Sequence, residues 1–566
     1  MKKIISNMLA VICGVCALGS LTGCKKGSYD ADNFLTLEEA TALGTPHKIV
    51  KEKTTIKVFV PKGSMNPSYS SMRMFKVLSE ETNLNFDFVE ADEGQYMTLR
   101  SVAWEDKNNL PDLFLYNNTI SEIIIYSAQG ALTPFNDPSY KKNGVEIGSL
   151  IDNYMPNYKA LLDDNFGFGN ELSANDILTI RDGKMYSVAS VNNVPRDLTF
   201  KMYVNQNWID ILNEYEAEFA SNPLPNGEEM DTIEEYLRVL RAFKKYEGDL
   251  YQGSDGVVPV TAANLDNLRN MIMASYGHVT EGVEIKNNGS AFEYSAATEG
   301  YRKYLETVRT MYAEKLLDQT VFSTSATDIN AKGYSGRLGS FISAAAYIVV
   351  GASKDSQYVT CGPFTSEYYT DEPIQYAFSK LDALGAVVPS TTNYSREIAR
   401  LLDLMYSDFG VSLSVFGQEN VDWKWDNEEK TSWSKIVPDT WSGSTEEYRA
   451  TLTPNVGLGV SLYYDYDFIK KDSDPDAIKL NKQAERYGDY LKEPIPFDIQ
   501  LTADEYNTES LIGSSLESKV REWEYRFVTG VKNPASDADW NEYLNELKGY
   551  RYEELVALYN TALARK

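Results

Sequence analysis

The chain of 566 residues carries 82 acidic against 54 basic side chains, a formal net charge of −28. That field makes nucleic acid a poor partner and would repel a strongly anionic ligand unless a local basic cluster held it. The length allows two or more domains, because single hydrophobic cores stop growing at roughly 250 to 300 residues. Tyrosines number 39 against 22 phenylalanines, a supply of amphipathic rings suited to wet, ring-stacking surfaces, although for any single tyrosine a packing role is the stronger reading.

Lys2 and Lys3 form a basic start and Met8 to Leu18 an apolar run, too short for a transmembrane helix of about 20 residues and suited to a secretory signal. Its ending, Leu21-Thr22-Gly23-Cys24, resembles the bacterial lipobox, in which the cysteine becomes the lipid-bearing first residue of the mature protein. Two acyl chains on Cys24 would anchor the protein stably at the extracytoplasmic face of the cell membrane. Residues 1–23 are then the signal peptide and 24–53 a tether. Of the four cysteines, Cys13 and Cys16 leave with the signal and Cys24 carries lipid. Cys361 alone remains, so no intramolecular disulfide forms and the core must stabilise the exported domain.

Ile56 to Val60 and Asn85 to Val89 read as strands, and Asp112 to Tyr116 as a third. Between them, Met74, Val77 and Leu78, then Tyr96, Leu99 and Trp104, have helical spacing. A βαβαβ run implies a parallel sheet, with ligands bound beyond the carboxyl ends of its strands: here the Pro61 to Tyr69 loop and the Tyr116-Asn117-Asn118 tip. Gly183 to Ser187 reads as a turn feeding a strand. Asp231 to Glu234 reads as a helix start, with Ile233, Leu237, Leu240 and Phe243 on one face. A helix from about Thr298 to Lys315 carries Tyr301, Tyr304, Leu305, Val308 and Met311. The end of the chain is helical over Val520 to Thr529, from Ser536 to Gly549, and through Ala564.

Several segments in this order resemble one family. They are the lipobox and opening βαβαβ, Leu110 to Phe114, Gly130 to Phe135, Met202 to Ile209, Ser295 to Asp318, Arg396 to Gly410, and Phe527 to Gly530 with Asp539 to Tyr543. The family is that of the extracellular solute-binding lipoproteins of carbohydrate ABC importers (family 1), particularly the LplA-like group. The resemblance spans nearly the whole mature chain. It implies an α/β, two-lobed periplasmic-binding-protein-like fold of type II, with a ligand cleft between lobes that close about a hinge and a helical C-terminal region. The expected division is 54–170 plus about 335–430 for lobe 1, and about 171–334 plus about 431–566 for lobe 2. It also implies a monomer that captures a carbohydrate, in all expectation an oligosaccharide, and delivers it to ABC permease subunits.

A sugar cleft mixes aromatic planes with hydroxyl-binding polar groups. Gln418, Glu419, Trp423 and Trp425 supply that mixture where the family places a cleft loop, with Asn420 standing in place of a second glycine. The resemblance also brings Tyr116, Asn117, Asn118, Arg196 and Tyr347 to the ligand. No metal is expected: the segment 247–256 has only two aspartates and no completing carboxylate, and zinc would have only His47, His278 and a single mature thiol with no partner motif; no cofactor is expected either. No nucleophile elbow or phosphate loop is present. A secreted glycoside hydrolase with two opposed carboxylates, or a surface glycan adhesin on the same body, remain the alternatives.

Overall fold

The computed structural model describes residues 31–565 except 64–65, 93–94, 107–108, 116–119, 168–173, 379, 443–444, 455–461, 497–498 and 500. The opening βαβαβ forms as expected: Thr54–Lys62, Leu84–Asp92 and Leu113–Leu115 are parallel strands joined by helices Arg73–Thr82 and Tyr96–Glu105. Leu99, expected in the apolar stripe of the second helix, is exposed, while Arg100 is buried and its guanidinium meets Glu122 at 2.5 Å. Ser187–Asn192, Leu381–Val387 and Tyr463–Tyr464 extend these three strands into a six-stranded mixed sheet. Its core includes Val58, Val60, Leu78, Leu113, Val188 and Leu402.

The second lobe has a four-stranded sheet in which Lys201–Asn205 is flanked by Leu338–Ser343 and Tyr358–Cys361, with Val258–Val260 at one edge. Every residue of Lys201–Asn205 is buried. Around this sheet pack helix Ile233–Lys245, begun by a Thr232/Glu235 capping box, and helix Glu299–Ala313, whose Tyr301 and Tyr304 are core residues. The C-terminal helices are Ala503–Val528, Asp537–Gly549 and Tyr552–Leu563. The first of these is far longer than the expected Val520 to Thr529 and starts on its own capping box, Thr502/Glu505.

The chain therefore changes lobe at places other than those expected. Residues 338–361, assigned to lobe 1, are strands of the second sheet, because Lys201–Asn205 pairs with them on both sides. Ser187–Asn192 and Tyr463–Tyr464, assigned to lobe 2, are strands of the first sheet, and helix Thr445–Leu452 packs with helix Arg73–Thr82 of that lobe. The expected tether also ends early: Phe34, Leu35, Ile49 and Val50 are buried, and the Arg400 guanidinium donates to the carbonyls of Leu35, Pro46 and Lys48.

Among the described residues, three segments cross between the lobes: 193–200, 377–378 with 380, and 465–474. They are tied to one another, Asn192 N–H donating to Lys380 O (2.9 Å), Phe378 N–H to Leu198 O (2.7 Å) and Tyr466 N–H to Asn193 Oδ1 (2.7 Å). Short, mutually bonded crossings of this kind let two packed bodies move as units.

The first lobe also holds carboxyls with no good reason to ionise. Glu397 is buried, its Oε2 has no partner among the described residues, and burial pushes its carboxyl up to about 7. Asp403 is pushed up to about 6 by burial, although it accepts from Tyr158 N–H and Asn157 Nδ2. The folded state thus holds a proton on Glu397 after the unfolded chain has released it, so its contribution is full below pH 4.5 and is lost as pH rises to about 7. Glu397→Gln should be close to neutral in urea unfolding at pH 4.5 and should stabilise by about 2 kcal/mol at pH 8. Equal effects at both values would refute a buried, protonated Glu397.

Candidate functional site

The carboxyl ends of Thr54–Lys62, Leu84–Asp92, Leu113–Leu115 and Ser187–Asn192 open toward the crossing segments, where open α/β sheets bind ligands. The loop after the first strand is held in place from several sides. Tyr69 Oη donates to Pro61 O (2.5 Å), Glu90 accepts from Ser68 Oγ and Tyr69 N–H (both 2.7 Å), and Asn66 Nδ2 donates to Ala450 O (3.0 Å). Asn66 is buried, and its Oδ1 has no partner among the described residues, an acceptor left for a hydroxyl or water. The Tyr116-Asn117-Asn118 tip, like Cys24, lies outside the described residues.

Arg196 and Tyr347 reach this region from different elements. Arg196 sits in the one-turn helix Pro195–Asp197 of the first crossing segment. Its guanidinium lies 3.8 Å from Asp197 and 3.5 Å from Asn481 Oδ1. Its carbonyl accepts from Lys201 Nζ (2.7 Å), which also donates to Ala344 O (3.1 Å). Burial pulls the Lys201 ammonium down to about 8. Tyr347 opens helix Ala346–Val350, directly beyond the end of strand Leu338–Ser343 in the second sheet. Burial pushes its phenol up to about 12; the Glu446 carboxylate adds to the rise, and the Arg196 and Arg449 guanidiniums oppose it.

Glu446 and Arg449 belong to helix Thr445–Leu452 of the first lobe, so charges from the first lobe and from a crossing segment act on the Tyr347 phenol of the second. Arg449 is 5% exposed. It donates to Glu446 from Nε and an Nη atom (2.6 to 3.0 Å) and to Thr453 Oγ1 and Pro454 O (2.9 and 2.8 Å). A planar fork fixed in this way is a rigid polar surface. Tyr464, buried in the neighbouring strand, feels the Arg449 and Arg196 charges as well. Glu446, Arg449 and Tyr464 were not singled out from sequence. The available signals were the Glu446–Arg449 spacing of three on a helix and the Tyr463-Tyr464-Asp465-Tyr466 cluster.

The 418–425 segment divides differently from its expected role. Gln418 and Glu419 are exposed at the end of helix Asp408–Phe416. Asn420 adopts φ +62°, the left-handed conformation that asparagine tolerates among non-glycine residues, so the missing glycine is accommodated. Trp423, expected at the ligand, is instead in the core. It is 1% exposed, its indole N–H donates to Gly417 O (3.2 Å), and it packs on Trp433 and Phe468 at 5.7 and 5.2 Å. Trp425 is half-buried edge-on to Trp423, with the Lys430 and Lys471 ammoniums each 5.6 Å from its ring. This aromatic cluster clasps the third crossing segment: Trp433 Nε1 donates to Phe468 O (3.0 Å) and Lys435 pairs with Asp472 and Asp474 (3.0 and 2.9 Å). Trp423→Ala should therefore cost about 3 to 5 kcal/mol of stability and Trp423→Phe much less. A fully stable Trp423→Ala variant would contradict the core placement.

In the 247–256 segment the side chains already have charged neighbours. Lys244 meets Glu247 at 2.7 Å, and the Arg337 guanidinium lies 3.7 Å from Asp255 while donating to the carbonyls of Asp255 and Gly256.

No family model matches the chain. It is similar to the fructooligosaccharide ABC transporter substrate-binding protein FusA of Streptococcus pneumoniae, 21% identical over 541 residues, covering 90% of each chain. Among solved structures it resembles FusA in complex with kestose (TM-score 0.70, 16% identity, 90% of this chain and 99% of that one). It also resembles a solute-binding protein of Bifidobacterium longum infantis described as HMO-binding and ABC-transporter-associated (0.71, 16%, 90% and 98%). A third likeness is to the alginate-binding protein AlgQ2 without calcium ion (0.69, 17%, 91% and 99%). The fold is that of these two-lobed substrate-binding proteins.

Proposed function

We propose that the protein is the substrate-binding component of a carbohydrate ABC importer, holding an oligosaccharide between its lobes. The observation that carries this is a fold shared over nine-tenths of the chain with sugar-binding relatives, in which the charges of Glu446 and Arg449 of the first lobe and Arg196 of a crossing segment act on the Tyr347 phenol of the second lobe. A phenol and fixed guanidinium and carboxylate groups suit the faces and hydroxyls of sugar rings. The charges favour a neutral sugar: Arg449 is matched by Glu446, Arg196 lies beside Asp197, and Lys201 is spent on carbonyls. A uronate chain would need cations in surplus.

The protein binds its ligand and does not transform it. Cys24 carries the lipid that keeps a monomeric binding protein at the outer membrane face, where proximity raises its local concentration at the permease. Among the described residues no helix is long and apolar enough to cross a membrane. The mature chain incubated with kestose and with milk-type oligosaccharides, then passed over a sizing column, should retain a glycan of unchanged length. Shortened sugars would favour the glycosidase reading, and retention of no glycan would count against both.

A further inference from the structure

A second site lies in the second lobe, on the hairpin of strands Val283–Ile285 and Phe292–Tyr294. Glu284 and Glu293 are register partners in this antiparallel pair, so two carboxylates stand directly opposite each other, an arrangement that is unfavourable unless a cation joins them. Glu284 is fully buried and His278 is 7% exposed. Lys492 and Lys286 approach Glu284 and Glu293 only to 3.7 and 3.8 Å, beyond the usual hydrogen-bond range of about 3.2 Å.

The hydrogen bonds around His278 fix which of its nitrogens carries a proton. Thr298 Oγ1 donates its single hydrogen to Ser295 O (2.7 Å) and accepts from Tyr301 N–H (3.2 Å). His278 Nε2, 2.7 Å from the same hydroxyl, must therefore be the donor. The Nδ1 lone pair of that tautomer faces Glu284 Oε1 at 2.6 Å, while Glu284 Oε2 is held by Val279 N–H at 3.0 Å. A contact of 2.6 Å between them calls for a positive charge there, a second proton on Nδ1 or a bound cation. A histidine whose far N–H is spent on a fixed acceptor, beside an oriented carboxylate, is the arrangement that surrounds metal-ligating imidazoles. Gly300 makes room for it: a Cβ there would lie 2.7 Å from His278 Cδ2 and Nε2.

We propose that His278 Nδ1, Glu284 and Glu293 bind a divalent transition-metal cation, a nitrogen and two carboxylate oxygens matching zinc, with water completing the shell. The three donor atoms lie within 4.8 Å of one another, and tetrahedral zinc spaces its ligands at about 3.3 Å, between that limit and the 2.6 Å of the His–Glu contact. A proton on Nδ1 would reconcile only His278 with Glu284; a metal also engages Glu293, whose partial exposure leaves an entry path. Bound there, the cation pins the hairpin to the turn before it.

Chelator-treated protein titrated with zinc chloride should take up one equivalent, and at a hundredfold excess over Kd its melting temperature should rise by about 2 °C. Glu293→Gln, on a partly exposed side chain, should fold normally and weaken zinc at least about tenfold; His278→Gln should abolish the stoichiometric site. No binding to the wild type at about 100 µM zinc, or one unchanged equivalent in both variants, would overturn the proposal. So would nitrogen NMR showing His278 doubly protonated and unmoved by zinc. Sugar binding in the same preparations reads the cleft separately, so failure of one assignment does not mask the other.

Discussion

Glu524→Ala is expected to destabilise the second lobe by about 3 to 5 kcal/mol. Glu524, on the long C-terminal helix, accepts from Arg269 Nε and an Nη atom at 2.8 and 2.6 Å and from Tyr304 Oη at 2.7 Å, and both members of the ion pair are 2% exposed. Removing the carboxylate leaves a guanidinium in the core with Asp266 at 3.5 Å and the Asn264 carbonyl as its remaining neighbours, and strips Tyr304 of its acceptor. The large effect reflects the charge left behind more than the net worth of the pair. An Arg269→Met, Glu524→Leu double variant should therefore recover much of the loss. Urea unfolding followed by tryptophan fluorescence reads both, since Trp523 is buried next to Glu524. A loss under about 1 kcal/mol in the single variant would mean that the helix is held by its apolar face alone.

Tyr347→Ala is expected to weaken the bound oligosaccharide by about 10- to 100-fold, or about 1.4 to 2.7 kcal/mol, with the far-ultraviolet circular dichroism unchanged. The side chain comes from the second lobe and is influenced by Glu446 and Arg449 of the first, so it contributes to binding only when the lobes face each other. Tyr347→Phe should retain the ring contact and lose the hydroxyl's share, giving an intermediate affinity. Equal affinity in all three proteins would remove Tyr347 from the site.

Local structure was legible wherever burial imposed a period. The opening strands and the Glu299–Ala313 helix follow from their apolar spacing, because each turns a regular apolar face to a core. The lobe boundaries were not legible: Lys201–Asn205 and Leu338–Ser343 are separated by well over a hundred residues and meet as neighbours, and nothing in the composition of either says which sheet it joins. Helix Ala503–Val528 begins well before the expected Val520; its first half is polar and shows little apolar period. Its Thr502/Glu505 capping box and the buried series Ile512, Leu516, Val520, Trp523 were the signals to weigh.

The site was less legible than the fold for a related reason. Tryptophans between acidic residues look the same whether they stack on a sugar or, as Trp423 does, on Trp433 and Phe468. Arg196 and Tyr347 were reached through the family resemblance, whereas Glu446, Arg449 and Tyr464 become candidates only when the crossing segments bring their elements together.

The account turns on the cleft holding a carbohydrate, and thermal unfolding against a glycan panel tests that most directly. Kestose and longer fructo-oligosaccharides, milk-type oligosaccharides and alginate oligosaccharides would be added to the mature chain, each at rising concentration. At least one neutral oligosaccharide should raise the midpoint with the RT ln(1 + [L]/Kd) dependence of a single site, by about 2 °C at a hundredfold excess over Kd, and the alginate series should not. A cooperatively folded protein whose midpoint moves with no glycan in the panel would contradict the assignment.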